Sequence, residues 1–496
     1  MTTASFVQRC ALAGVVLAVF GSAVAAGEWQ CDGHWLRFRG KPILLVGDSI
    51  TQGWMELGGN FDQKAYVDAL TERGINVLLV WSYIGIDDQS ADERIGYDAP
   101  ELWPWVRVAG TSGEVGGHGE HTGESAFDLT RLNDAYFDRL GALVRDAEAR
   151  GIVVVIQVHD GWTKTRFAGH PFNVANGGPL TDKSQFVELH DYSREMPLRF
   201  DPQWTRPQRH QFYLERFCER LIGVVGGSPN VMFEIFNEGE WYDGRRLRDF
   251  QVHFLSFFKA RTSQPLIIND DHIRSVLGFR GEPKADVLSH HTPRWDDLPA
   301  ARVYFDHYSR QFDAAPTKPT FFSEPVPSYT GGDAATEAAM LRLLWGTAMA
   351  GASVVIQNDA AYGFDPRSAM AARTDQRDRI LDLEGHVARF FNQGGLNLAA
   401  MRPDGGLAST GICLADAGRE YVVYALPGNT FTVNLAAAKG RILTVRWYDP
   451  AMGRFHDADR ITGASETQSF AAPFEGDAVL HLKAAGDETP TVGSGR

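Results

Sequence analysis

Short, almost uninterrupted apolar runs recur along most of the chain, separated by stretches with helical periodicity. They occupy residues 43–46, 76–80, 152–156, 231–235, 266–268, 286–288, 320–322 and 353–356. A strand with one wet face alternates apolar and polar residues. A run without alternation fits a parallel strand buried on both faces. Helices are expected over residues 63–73, 132–150, 209–225, 245–261 and 334–349, with the fifth to seventh units carrying the weakest pattern. Strand alternating with helix through eight units predicts an α/β fold, a closed (β/α)8 barrel of the TIM type.

After residue 395 the pattern changes. Short alternating runs at 421–426, 431–435, 441–448 and 478–483 are divided by turn clusters such as Asp449-Pro450-Ala451-Met452-Gly453. Such spacing predicts a small C-terminal antiparallel β-sandwich over residues 396–485, followed by a polar, disordered tail over 486–496. Residues 29–39 read as a hairpin that plugs or caps the barrel, which would then occupy 26–395. Arg9, the apolar run 11–20 and the small residues Gly21-Ser22-Ala23-Val24-Ala25 read as a secretory signal over residues 1–25. A secreted or periplasmic protein without stable membrane association is expected. The cysteines left after cleavage near Ala25, which are Cys31, Cys218 and Cys413, are too few and too scattered for a disulfide scaffold.

Composition narrows the function. The 496 residues are 44% apolar and 22% charged, ordinary for a globular chain. A net charge of −14 opposes binding to phosphate backbones, so no nucleic-acid partner is expected. Two long connections, 82–131 and 158–206, follow the second and third strands, on the face where barrels build their active sites. They carry Trp103, Trp105, Trp162 and Trp204. These indoles could stack on sugar rings or simply fill the loops.

The candidate chemistry lies at strand ends. Glu238 follows the fourth strand in Phe236-Asn237-Glu238-Gly239, and Glu324 follows the seventh in Phe322-Ser323-Glu324-Pro325. Two carboxyl groups flanking one bond are what glycoside hydrolysis requires, one as acid and the other as nucleophile or base. Glu238 is assigned as acid/base, Glu324 as nucleophile and Asn237 as the partner of the neighbouring sugar hydroxyl. Glu234, with the parity of the barrel interior, reads as a buried, paired carboxylate. Asp48, Trp81, His159 and Asn358 are further candidates for substrate contact, and His290 or His291 for a hydrogen bond to the nucleophile. Each taken alone reads first as a packing or satisfied polar group; together they suit a polyhydroxylated ligand. His159, Asp160, His290 and His291 could be read as a metal site, but no local ligand spacing supports it. No cofactor is implied.

Asn237-Glu238 and Glu324 at these strand ends resemble the clan A retaining glycoside hydrolases. More narrowly, Gly40-Lys41-Pro42, Gly47-Asp48, His170-Pro171-Phe172-Asn173 and the segment Trp447-Tyr448-Asp449-Pro450 through Phe455 resemble apiosidase-like barrels with a C-terminal domain of collagen-binding type. The resemblance implies a retaining mechanism on a carbohydrate substrate. Many clan A members carry an aromatic residue at the end of the eighth strand, where this chain has Gln357-Asn358-Asp359. Two rivals follow from other features. Gly47-Asp48-Ser49 resembles the first block of SGNH esterases, with Ser49 as nucleophile, but the family's other blocks are missing. The C-terminal domain invites a non-catalytic, glycan- or matrix-binding reading.

Overall fold

The computed structural model describes residues 28–31, 33–50, 61–83, 102–109, 111, 126–164, 167–189, 209–239, 242–269, 278–290, 301–323, 334–366, 368–428, 430–464 and 466–486. Eight parallel strands close into a barrel: β1 (Val46–Ser49), β2 (Val77–Trp81), β3 (Val153–Asp160), β4 (Val231–Asn237), β5 (Leu266–Asn269), β6 (Val287–Ser289), β7 (Thr320–Phe322) and β8 (Ser353–Gln357). Each pairs with its sequence neighbours, and β8 closes on β1. Leu45, Val77, Leu79, Val153, Val155, Met232, Ile267, Val287, Phe321 and Val355 fill the interior. Alternate residues such as Leu78, Val154, Ile156, Phe233 and Ile356 belong to the core shared with the helices. Burial on both faces is why these strands lack polar alternation.

Seven described helices flank the barrel: α1 (Gln63–Arg73), α2 (Asp134–Ala149), α3 (Arg209–Val225), α4 (Gly244–Lys259), α5 (Ala301–Phe312), α6 (Ala334–Met349) and α7 (Thr374–Gln393). Local chemistry sets several ends. The Asp62 carboxylate accepts the Ala65 N–H to cap α1, and Gly74 ends that helix with φ 72°. The Asp243 carboxylate caps α4 in the same way.

The first strand lies further along the chain than its apolar run implies. Ile43 N–H bonds Leu36 instead, and the barrel ladder begins at Val46. At Gly47 a Cβ would stand 1.9 Å from the Val77 carbonyl oxygen, so only glycine allows β1 and β2 to approach this closely.

Strands at Trp29–Gln30, Arg37–Phe38 and Lys41–Pro42 form a small sheet under the N-terminal ends of the barrel strands. Leu36, Trp29 and Cys31 pack on the interior cluster, and Trp29 Nε1 donates to the carbonyl of Pro229, just ahead of β4. These contacts cover the interior from the N-terminal side of the strands. Trp103 and Trp105 are buried; Trp105 packs against Tyr83, Phe172 and Phe217 as core of the long connections. Cys218 and Cys413 are buried free thiols.

The C-terminal region is a β-sandwich. Its strands are β9 (Arg402–Pro403), β10 (Cys413–Asp416), β11 (Glu420–Ala425), β12 (Phe431–Asn434), β13 (Ile442–Asp449), β14 (Arg454–Thr462), β15 (Thr467–Phe470) and β16 (Ala478–Ala484). Six form a sheet in the order β9-β10-β11-β16-β13-β14, and β12 pairs with β15. Tyr421, Val423, Phe431, Val433, Trp447, Leu480 and Leu482 fill the space inside. The other face of the large sheet, through Val422, Tyr424, Tyr448 and Val479, joins the core around the barrel helices. The expected signal segment and C-terminal tail lie outside the described residues. No described helix is long and apolar enough to cross a membrane.

Candidate active site

One level of the barrel interior is polar. Gln157 on β3 and Glu234 on β4 stand in register, and Gln157 Nε2 donates to Glu234 Oε2 at 2.9 Å. From across the interior, Ser323 Oγ donates to Glu234 Oε1 at 2.8 Å, and Ser289 Oγ lies 2.6 Å from Ser323 Oγ. A buried carboxylate is tolerated only when its oxygens are hydrogen-bonded. Glu234 has those bonds, as its expected role as a buried, paired carboxylate requires. The chain of contacts runs from β3 through β4 to the residue after β7 and on to β6. It therefore ties the end of β4 to the residue immediately before Glu324. Trp81, at the end of β2, clusters with the interior residues; its indole N–H is buried and has no acceptor among the described residues, and it remains a candidate for substrate contact.

Above this level, Asn237 ends β4 and Glu238 begins the turn beyond it. Glu238 has φ 43°, and among the described residues Arg39 is the other non-glycine residue with positive φ. A side chain in this region is sterically disfavoured, and such conformations collect at functional sites. Glu238 is 7% exposed. Its carbonyl presses on Gly161, where a Cβ would stand 1.7 Å from the Glu238 oxygen. Asp160 pairs in register with Asn237, and Asn237 Nδ2 donates to Asp160 Oδ1 at 3.3 Å. The Tyr242 ring is buried nearby; desolvation and then the charge of Asp160 push its hydroxyl well above the usual phenol range.

The other expected site residues fare differently. Glu324 and His291 lie outside the described residues. Asp48 faces away from the barrel axis, and this corrects its expected role in substrate binding. Its carboxyl accepts from Tyr66 of α1, from Asn358 Nδ2 and from the Ser49 N–H. The same bond corrects Asn358, which is fully buried and holds Asp48. Burial, with a smaller contribution from Asp359, pushes Asp48 up to about 8. His159 is corrected as well. It lies among Phe236, Phe250 and Phe254, with Nδ1 3.2 Å from Tyr83 Oη and Nε2 3.8 Å from Cys218 Sγ. Desolvation first, then His210 and His253, lower it to about 3, so the ring is neutral. The His290 ring sits beside His307 and Tyr308 of α5, behind the strand and away from the interior that Ser289 faces. Ser49 is part of the barrel wall, with no hydrogen-bond partner on Oγ. The closed barrel replaces the doubly wound sheet that an SGNH nucleophile would need. Among the described residues no group of three or more His, Cys, Asp or Glu side chains converges as a metal site would.

Several groups escaped the sequence reading. Gln157 is a polar residue inside an apolar run, which is the signal that could have marked it. Asp160 entered that reading only as one of the residues of a metal site without supporting spacing. Glu384 sits on the apolar face of α7 between Ile380, Leu381 and Val387, fully buried and with both carboxyl oxygens unpartnered. Desolvation, then Asp48, holds it well above the usual carboxylate range.

A family model described as "Putative collagen-binding domain of a collagenase" matches residues 408–483. Among solved structures, a glycoside hydrolase family 5 protein from Bacteroides vulgatus ATCC 8482 superposes with TM-score 0.62 at 13% identity, covering 93% of this chain and 94% of that one. A second, described as a glycoside hydrolase, gives TM-score 0.60 at 13% identity and covers 92% and 97%. No curated protein matches the chain significantly. The likeness extends over barrel and sandwich together, and the shared fold is a (β/α)8 barrel followed by a β-sandwich.

Proposed function

We propose that the chain is a retaining glycoside hydrolase acting outside the cytoplasm, with Glu238 as acid/base and Glu324 as nucleophile. The observation that carries this reading is the buried Glu238 at the mouth end of β4, held at φ 43° in a closed eight-stranded barrel. The Glu234–Ser323 bond supports the pairing, because it holds Ser323, the residue before Glu324, to the strand that Glu238 follows.

In the first step the Glu324 carboxylate attacks the anomeric carbon while the Glu238 carboxyl gives its proton to the leaving oxygen. The glycosidic C–O bond breaks and a glycosyl ester forms. In the second step the Glu238 carboxylate takes a proton from water as that water attacks the same carbon. The ester bond breaks, and both carboxyl groups return to their starting states. The fold relatives include proteins described as glycoside hydrolases, which adds weight to a carbohydrate substrate. The apiosidase-like resemblance places pentosides among the substrates to try.

The test is a hydrolysis screen over 4-nitrophenyl β-D-glycosides and α-L-pentosides, together with plant and bacterial polysaccharides. Glu238→Gln and Glu324→Gln are each expected to lower turnover by about 10³-fold or more, with the melting temperature within about 2 °C of wild type. Undiminished turnover in either variant sinks the assignment. Tight glycan binding without product would point to the binding reading instead.

A further inference from the structure

The geometry points to Asp160 as a positioning residue that fixes the amide orientation of Asn237, and hence the hydrogen bond offered to the sugar hydroxyl beside the reacting carbon. This rests on the glycosidase reading above. Asp160 closes β3, Asn237 closes β4, and the two are partners in the ladder. Both are buried, and Asn237 Nδ2 lies 3.3 Å from Asp160 Oδ1.

The two ends of a carboxamide are nearly the same shape but opposite in hydrogen bonding, one donating and one accepting. An ionised carboxylate can only accept. In its ionised form Asp160 therefore admits the NH2 end of Asn237, the end that faces it in the structure, and repels the carbonyl end, which disfavours turning the amide over. Its carbonyl and second N–H are left pointing in fixed directions.

The backbone reinforces this. Gly161, the residue after Asp160, is packed against the carbonyl of Glu238, the residue after Asn237. The ends of β3 and β4 are thus locked as a pair, with each polar side chain beside the other and the candidate acid/base next in line. Tyr242, four residues beyond Glu238, is buried within the field of the same carboxylate. Preorganised supporting groups of this kind matter because a hydrogen bond that strengthens in the transition state is sensitive to small misplacement.

The test uses the 4-nitrophenyl glycoside that the full-length wild-type protein hydrolyses fastest. The values of kcat and KM are measured for wild type, Asp160→Asn, Asn237→Ala and the double variant. Asp160→Asn preserves shape but presents both a donor and an acceptor, so it permits either orientation of Asn237. Expected is a loss in kcat of about 10- to 100-fold with KM within about two-fold, since the bond lost is made mainly in the transition state. In the Asn237→Ala background the same substitution should change kcat by less than about two-fold. Equal losses in both backgrounds, an unchanged kcat, or a loss seen wholly in KM overturns the role of Asp160. Wild-type turnover in Glu238→Gln overturns the acid/base assignment on which the role of Asn237 depends, and a panel with no hydrolysis at all overturns the glycosidase reading itself. An inactive Glu238→Gln beside an unimpaired Asp160→Asn overturns the positioning role alone.

Discussion

At the scale of single residues, the backbone of Glu238 sets a conflict between stability and chemistry. A glutamate at φ 43° keeps a Cβ in a region that glycine occupies without penalty. Glu238→Gly should therefore be more stable than Glu238→Ala by about 1 kcal/mol in urea unfolding, although neither hydrolyses substrate. Equal stabilities would remove the strain argument. Identity at this position was legible, because an Asn-Glu pair at a strand end carries the chemistry in its letters. The dihedral angle was not, and neither was the contact of the Glu238 carbonyl with Gly161, a residue far away in sequence. The corrections at Asp48, His159 and Asn358 have a related cause. A strand-end position was visible in the sequence, but whether the side chain faces the mouth or the helices depends on a register that one residue inverts. The sequence run began at 43 and the ladder begins at Val46, so inward and outward positions could not be assigned from the run alone.

At the scale of elements, α7 meets β1 through two buried acids. Asp48 and Glu384 are both held above their ordinary range by desolvation, with Tyr66 between strand and helices and Arg73 opposing the shift at Glu384. Folded, these groups stay protonated, Asp48 up to about pH 8; unfolded, Asp48 ionises near 3.8. Their contribution to stability is complete below about pH 4 and is lost as the pH rises toward 8. Glu384→Gln keeps the shape and removes one titration. Its melting temperature should fall less between pH 5 and pH 8 than that of wild type, and parallel curves from differential scanning fluorimetry would refute this. His159 and His170 act with the opposite sign. Desolvation lowers both to about 3, so the stability gained from their neutral form is present above 6.5 and lost as the pH falls toward 3. Glu384 was overlooked because α7 itself was not picked out. The eight strands were legible because burial on both faces leaves an unbroken apolar signature.

At the scale of the whole molecule, barrel and sandwich share one core. Trp345 of α6 stacks on Tyr424 of β11, and Phe390 of α7 meets Tyr448 and Phe455. Arg342 of α6 reaches Asp477 at 3.1 Å, and Tyr424 Oη donates to the same carboxylate at 2.5 Å. A chain ending at residue 395 would expose this aromatic face to water. We expect it to aggregate, while the full chain unfolds in a single calorimetric transition. Two well-separated transitions, or a soluble and active truncated form, would show that the units are independent. The sequence announced the second domain through its change from helical to alternating texture. It was silent on the shared core, because that face of the sheet mixes Val422, Tyr424, Tyr448 and Val479 with Glu420, His481 and Lys483 and does not read as buried.

The small sheet formed by residues 29–42 seals the barrel at the end away from Glu238. The polypeptide thus enters the fold from underneath. Anything joined ahead of Glu28, whether a bead, an electrode or another protein, would hang below the floor and leave the mouth facing outward. For a bulky polymer that must reach the mouth from solution, this end of the chain is the one from which to hold the protein.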